Sequence, residues 1–305
     1  MANSEMIKTN LPLELSDFSK PPSMFEVFRK ELIRDKLALV SLIVFLGVLI
    51  FVLIQSAMMD PAEVRRTSLR YRQQPPSETH FLGTDPAGRD MWGLLMMGAR
   101  NSLAIGFSVS ILSAFIGLGL GLISGVYGGN VDNIIMRIVD TWAMLPTMMI
   151  MIVLTTVFRA NTVVPLIGVL LLFSWTGRTR FIRNLALQQG RMEYVAASKT
   201  LGTRNIVIVF REVMPNLTSM LIVNITVNLA GSIGIETALA ILGFGLRPDE
   251  PSLGTLVAYA MNAEHLLMRQ WLWAPAVGLI IIITVSITFV GQAVSRAANA
   301  TQRRA

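Results

Sequence analysis

The feature that most constrains this chain is a run of 18 uncharged, almost wholly apolar residues, Leu37 to Ile54, with further long apolar runs after it. A helix needs about 20 such residues to cross the hydrocarbon core of a bilayer. A soluble core is built from shorter, periodically interrupted apolar segments. Only 15% of the residues are charged and 53% are hydrophobic, against roughly 25% charged for an average soluble domain. The first run is too long and too deep in the chain for a cleaved leader, so it is read as a retained span over 37–59. The fold class expected is an all-α membrane protein.

Further spans are expected at about 102–126, 134–157, 162–176, 217–244 and 271–294, giving a six-helix bundle. The second is rich in glycine (Gly106, Gly117, Gly119, Gly121, Gly125), as suits close helix approach in lipid. In the third, Arg137 and Asp140 stand one turn apart and could pair. Residues 1–36 read as a tail and basic helix, 60–97 as an external loop, 178–216 as a polar loop and 295–305 as a second tail. Placing both termini in the cytoplasm puts 17 Lys and Arg inside and 9 outside, in the sense of the positive-inside rule. The net charge of +7 is therefore assigned to membrane orientation and not to nucleic acid.

No Cys is present, which excludes disulfides, thiolate metal sites and Cys nucleophiles. The two His, His80 and His265, lie far apart in sequence, and no metal site or catalytic constellation is read. No phosphate-binding loop of the Gly-rich Lys-Ser/Thr kind occurs, so nucleotide binding belongs to another chain. Asp85, Arg89 and Asp90 are explained by turn formation and ion pairing without catalysis.

The polar loop carries seven basic residues between Arg178 and Arg211 against one acid, Glu193. Within it Glu193 to Gly202 reads as a short helix. Glu193 sits near its positive end and Lys199 near its negative end. Gly202 suits a left-handed cap, and Pro215 suits the first turn of the next helix. Ala196, Ala197 and Ser198 form a small-residue surface that another protein could cover, and Tyr194 belongs to the same helix. A plain connecting helix is the alternative. Glu236, inside the fifth span, lines a pathway, locks a helix contact, or lies near the outer end of the span and is simply hydrated or hydrogen-bonded. Asn224 and Asn228, a turn apart, read as interhelical hydrogen-bonding groups.

Ala197, Gly202 and Pro215 have the spacing of the cytoplasmic loop of binding-protein-dependent ATP-binding-cassette (ABC) importers, with Ala196, Ser198, Glu212 and Met214 at its other positions. His80 to Asp90, Gly98 to Leu103, Gly128 to Asp132, Met136 to Asp140, Glu236 to Gly245 and Pro251 to Gly254 resemble the C-type permease subunit of the oligopeptide, dipeptide and nickel importers. That family usually has Trp where Leu253 stands. The resemblance implies a type I ABC importer permease in the bacterial cytoplasmic membrane that imports peptides and is not itself an enzyme. It implies a homologous second permease subunit, two cytoplasmic ATPases that hold the ATP and Mg, and an extracytoplasmic peptide-binding protein. The loop helix, with Glu193, Tyr194, Ala196, Ala197, Ser198, Gly202 and Pro215, would transmit ATPase closure to the spans. The alternatives weighed are a gradient-driven secondary transporter or channel, for which no internal repeat is found, and an intramembrane enzyme, for which no facing groups are found.

Overall fold

The computed structural model describes residues 32–302. The expected tail and basic helix over 1–36 lie mostly outside them, as do the last three residues. All named elements among the described residues are helical, and one isolated bridge pairs Thr84 with Asp90. The principal helices are α1 (Lys36–Met58), α2 (Met91–Tyr127), α3 (Gly129–Ala143), α4 (Thr147–Val157), α5 (Val163–Gln189), α6 (Glu193–Thr200), α7 (Met214–Ile241), α8 (Leu253–Val257) and α9 (Ala274–Gln302).

Four of these, α1, α2, α7 and α9, are each long and apolar enough to cross a membrane, and α3 with α4 would make a fifth as one broken span. In a bilayer every backbone polar group must be satisfied within the segment, and a helix does so. α1 begins where Asp35 accepts hydrogen bonds from the N–H groups of Leu37 and Ala38. Most of its surface is exposed apolar side chain, among them Leu37, Ile43 and Ile50, as lipid contact requires. Its start is tied to the far end of the chain by an ion pair between Asp35 and Arg296.

α2 is the central rod. It takes in the last seven residues of the expected external loop, 91–97, because Asp90 caps it by accepting from Gly93 N–H at 2.9 Å. One stripe of its glycines faces α5. A Cβ on Gly117 would lie 2.7 Å from Arg178 Cβ, one on Gly121 2.8 Å from Ile182 Cβ, and one on Gly125 2.6 Å from Ala186 Cβ. The spacing of four residues puts all three on one helix face, and their lack of side chains lets the two backbones close together. Against α7, α2 packs through Gly106 beneath Leu229 and Ile233, and Ser110 Oγ donates to Ile225 C=O at 2.8 Å.

Three expectations are corrected. The span over 134–157 is not one straight helix: α3 and α4 meet at 80°. Pro146 stands at the break and has no N–H to continue a ladder. The span at 162–176 continues as helix to Gln189, so residues 178–189 belong to α5 and not to a loop. The arginines that suggested a loop are accommodated singly. Arg178 Nη1 donates to Ser174 C=O, Arg180 pairs with Asp140 at 2.6 Å, and Arg183 pairs with Asp132 at 2.5 Å. Asp140 is thereby engaged across helices, in place of the expected partner Arg137. Finally, Pro215 stands in the first turn of α7 as expected, but no loop precedes it. Asn205–Val207 and a π-helical turn, Ile208–Val213, run directly into α7, and the wider turn sits where Pro215 supplies no donor.

Candidate functional site

α6 lies at the end of the bundle reached by the C-terminal ends of α2 and α5. Its single buried side chain, Val195, enters a cluster made by Leu122 and Val126 of α2, Ile182 and Ala186 of α5, and Ile208, Val209, Val213 and Leu217. Two polar ties add direction. Ser198 Oγ donates to Glu212 Oε1 at 2.7 Å. Tyr194 OH donates to Gln189 Oε1 at 2.9 Å and accepts from Asn216 Nδ2 at 3.0 Å. The helix is thus fixed to α5 on one side and to the π turn before α7 on the other.

Its end is equally defined. Gly202 has φ +77, in the left-handed region that a Cβ disfavours. Gly202 N–H donates to Lys199 C=O and Thr203 N–H to Ser198 C=O, both at 3.0 Å. This is the paired bonding of a Schellman cap, with Gly at the position that needs it.

What the anchoring leaves bare is the outward face. Glu193, Tyr194, Ala196, Ala197 and Gly202 are exposed, Ser198 is half-buried, and Pro215 is exposed beside them. The same segment carries exposed apolar side chains that the motif did not single out, Leu201 one turn beyond Ala197 among them. Leu201 is 85% exposed, and Met192 and Phe210 are exposed as well. The signal for these was available: apolar side chains in a segment whose basic residues otherwise mark a wet surface.

The intramembrane candidates separate from this surface. Glu236, fully buried in α7, accepts a hydrogen bond from Ser102 Oγ of α2 at 3.0 Å, and Ser102 Oγ accepts from Leu253 N–H at 3.0 Å. Asn101 Nδ2 donates to Pro251 C=O at 2.8 Å close by. Glu236 is therefore enclosed within this chain where α2, α7 and the start of α8 meet. Asn228 Nδ2 donates to Asn224 Oδ1 at 2.9 Å and to Asn224 C=O at 2.7 Å. These bonds lie within one helix, as the four-residue spacing permits.

At the opposite end, Asp85 and Arg89 form a buried two-point pair with distances of 2.6 and 2.8 Å. Arg89 Nη1 also donates to Pro248 C=O, and Tyr259 OH donates to Asp85 Oδ2 at 3.2 Å. Burial, then the charge of Asp85, pushes the Tyr259 phenol up to about 12, so it remains a donor throughout the neutral range. Burial works against the Arg89 charge, but the hydrogen bond and charge of Asp85 outweigh it and raise its pKa. The group clips the segment before α2 to the hairpin after α7. Removing one member of such a buried pair costs about 3–5 kcal/mol. Among the described residues no group of His, Asp and Glu could hold a metal ion.

Comparison with known proteins identifies the arrangement. The family model described as "Binding-protein-dependent transport system inner membrane component" matches residues 117–300. The oligopeptide transport system permease protein OppC of Lactococcus lactis subsp. cremoris is 40% identical over 281 residues, covering 92% of this chain and 96% of that protein. The dipeptide transport system permease protein DppC of Bacillus subtilis is 33% identical over 227 residues, covering 74% and 70%. A chain of the MetNI methionine ABC transporter, crystallised in inward-facing conformations, has the same fold, with a TM-score of 0.53 at 20% identity over 69% of this chain and 97% of that one. The expected family resemblance holds, and this chain belongs to the family of inner membrane components of binding-protein-dependent transport systems.

Proposed function

We propose that this chain is one of two permease subunits of an ATP-driven importer of short peptides in the bacterial cytoplasmic membrane, and that α6 is the element through which ATPase closure reaches the spans. The observation that carries the coupling role is the two-sided character of α6. One face is fixed by Val195, Ser198 and Tyr194 to the ends of α2 and α5 and to the π turn leading into α7, and the other is bare. A push on the bare face is delivered to three long helices at once. Small side chains at Ala196 and Ala197 let a partner's groove approach the backbone. The peptide substrate is carried over from the names of the oligopeptide and dipeptide permeases that the chain resembles.

The membrane arrangement proposed has six crossings and both termini in the cytoplasm. The Asp35–Arg296 ion pair supports an even number of crossings, since it holds the start of α1 and the last turns of α9 at one side. The broken pair α3–α4 and α5 then supply the two crossings beyond the four self-sufficient helices. The reading requires a homologous second permease, two cytoplasmic ATPases holding ATP and Mg, and an extracytoplasmic peptide-binding protein.

The test is uptake of a radiolabelled peptide into proteoliposomes containing the purified complex. Accumulation is expected with ATP enclosed on the ATPase side and none with an ion gradient alone. Gradient-driven uptake without ATP would replace this reading with a secondary transporter.

A further inference from the structure

The end of the bundle opposite α6 contains a cavity of about 260 Å³ whose wall combines two guanidinium groups and a carboxylate, from Arg65, Arg100 and Glu250. These come from three separate places: the short helix Pro61–Arg65 after α1, the first part of α2, and the hairpin after α7. Arg65 is exposed and makes no ion pair among the described residues, and Arg100 is engaged only by Asn101 Oδ1 at 3.5 Å. Neither pairs with Glu250. The carboxylate instead accepts from Val163 N–H at 3.4 Å and stands 4.0 Å from Arg247 Nη2. The first turn of α5 completes the wall; Thr162 before it provides no side-chain cap, and Glu250 occupies that place on the Val163 N–H. Arg65 and Arg100 thus share one small space with Glu250 without pairing with it, while Glu250 is held by Arg247 and by the positive end of the 27-residue α5.

We propose that this cavity recognises the free ends of a short peptide, a refinement that rests on the peptide-import reading above. Arg65 and Arg100 take the C-terminal carboxylate, for which a guanidinium fork offers paired donors. Glu250 faces the α-ammonium of the shortest peptides and repels simple polyanions. The volume lies just below the roughly 300–1,000 Å³ of drug-sized pockets, so the site holds a peptide's end and not an extended oligopeptide. In the proposed orientation the cavity opens on the extracytoplasmic side, where a peptide released by a binding protein first meets the permease.

The test uses the intact importer in proteoliposomes with its binding protein, reading KM and kcat for trialanine and for trialanine amide. Arg65→Gln is chosen because the exposed side chain can be changed without disturbing the fold. It is expected to raise the KM for trialanine at least tenfold and to leave the KM for the amide within twofold. Arg65→Lys, which keeps the charge, should stay within about threefold of wild type for trialanine, and Arg100→Gln should reproduce Arg65→Gln. An unchanged KM for trialanine in Arg65→Gln, or equal increases for acid and amide, overturns the proposal and leaves the import reading standing. A wild-type complex that takes up neither peptide removes the import reading, and this site with it, before any variant is compared.

Discussion

Two stretches of small residues in this chain have opposite fates. Gly117, Gly121 and Gly125 of α2 are covered within the chain, where the backbone of α5 closes so tightly that a Cβ at Gly125 would stand 2.6 Å from Ala186 Cβ. Ala196 and Ala197 of α6 are uncovered, and a Cβ at neighbouring Gly202 would meet nothing within 4 Å. In both places small side chains permit close approach. At the seam the second surface is supplied by the same chain and serves cohesion. On α6 the proposed second surface is another chain's, and among the described residues Val195 and the ties of Ser198 and Tyr194 hold the helix in place. Small residues alone therefore do not distinguish an internal contact from an external one, whereas coverage does.

The seam can be broken most severely. Gly125→Leu forces a branched side chain into backbone and Cβ contacts under 3.3 Å. The cost should exceed the ~1–3 kcal/mol of ordinary overpacking, so little folded protein should survive detergent extraction and size-exclusion chromatography. Val195→Ala acts on the anchor of α6. Losing part of a buried valine removes up to about 1.5–3 kcal/mol, and hydrogen exchange should then rise in residues 193–202 before it rises in α2. Gly202→Ala has room for its methyl group but not the backbone freedom, and should cost about 1–2 kcal/mol through left-handed strain, read as a lowered Tm. Ala197→Trp marks the other limit. On an exposed helix face it should change the chain's own stability by no more than about 0.5 kcal/mol, yet abolish co-purification of the ATPases while the second permease is retained. Equal damage from Gly125→Leu and Ala197→Trp to the isolated chain would erase the distinction between the two surfaces.

Much of the architecture was legible because lipid imposes a simple rule. The runs around α1, α2, α7 and α9 are apolar over a full membrane thickness, and their helices fall close to the expected spans. The rule fails where charge is tolerated through tertiary partners. Arg180 and Arg183 made residues 178–189 look like loop, because their acids, Asp140 and Asp132, lie on α3 some forty to fifty residues earlier. Pro146 was visible, but a hydropathy pattern carries no bend angle. At the candidate site the Gly202 cap was readable from one residue type and its position. Which side of α6 turns inward was not, since Val195 and Ala197 differ little as letters and are separated only by what packs on them. Glu212 was invisible as a partner of Ser198 for the same reason.

The central claim, that the bare face of α6 receives an ATPase subunit, is best tested in a background this chain already provides, since it contains no cysteine. A single Ala197→Cys, labelled with a thiol-reactive benzophenone in the assembled complex and irradiated, should yield a covalent adduct with the ATPase subunit. Val153→Cys, on the exposed apolar side of α4, should not. ATPase adducts from both positions alike, or from neither while the complex remains intact, would contradict the assignment of α6 as the docking and coupling element.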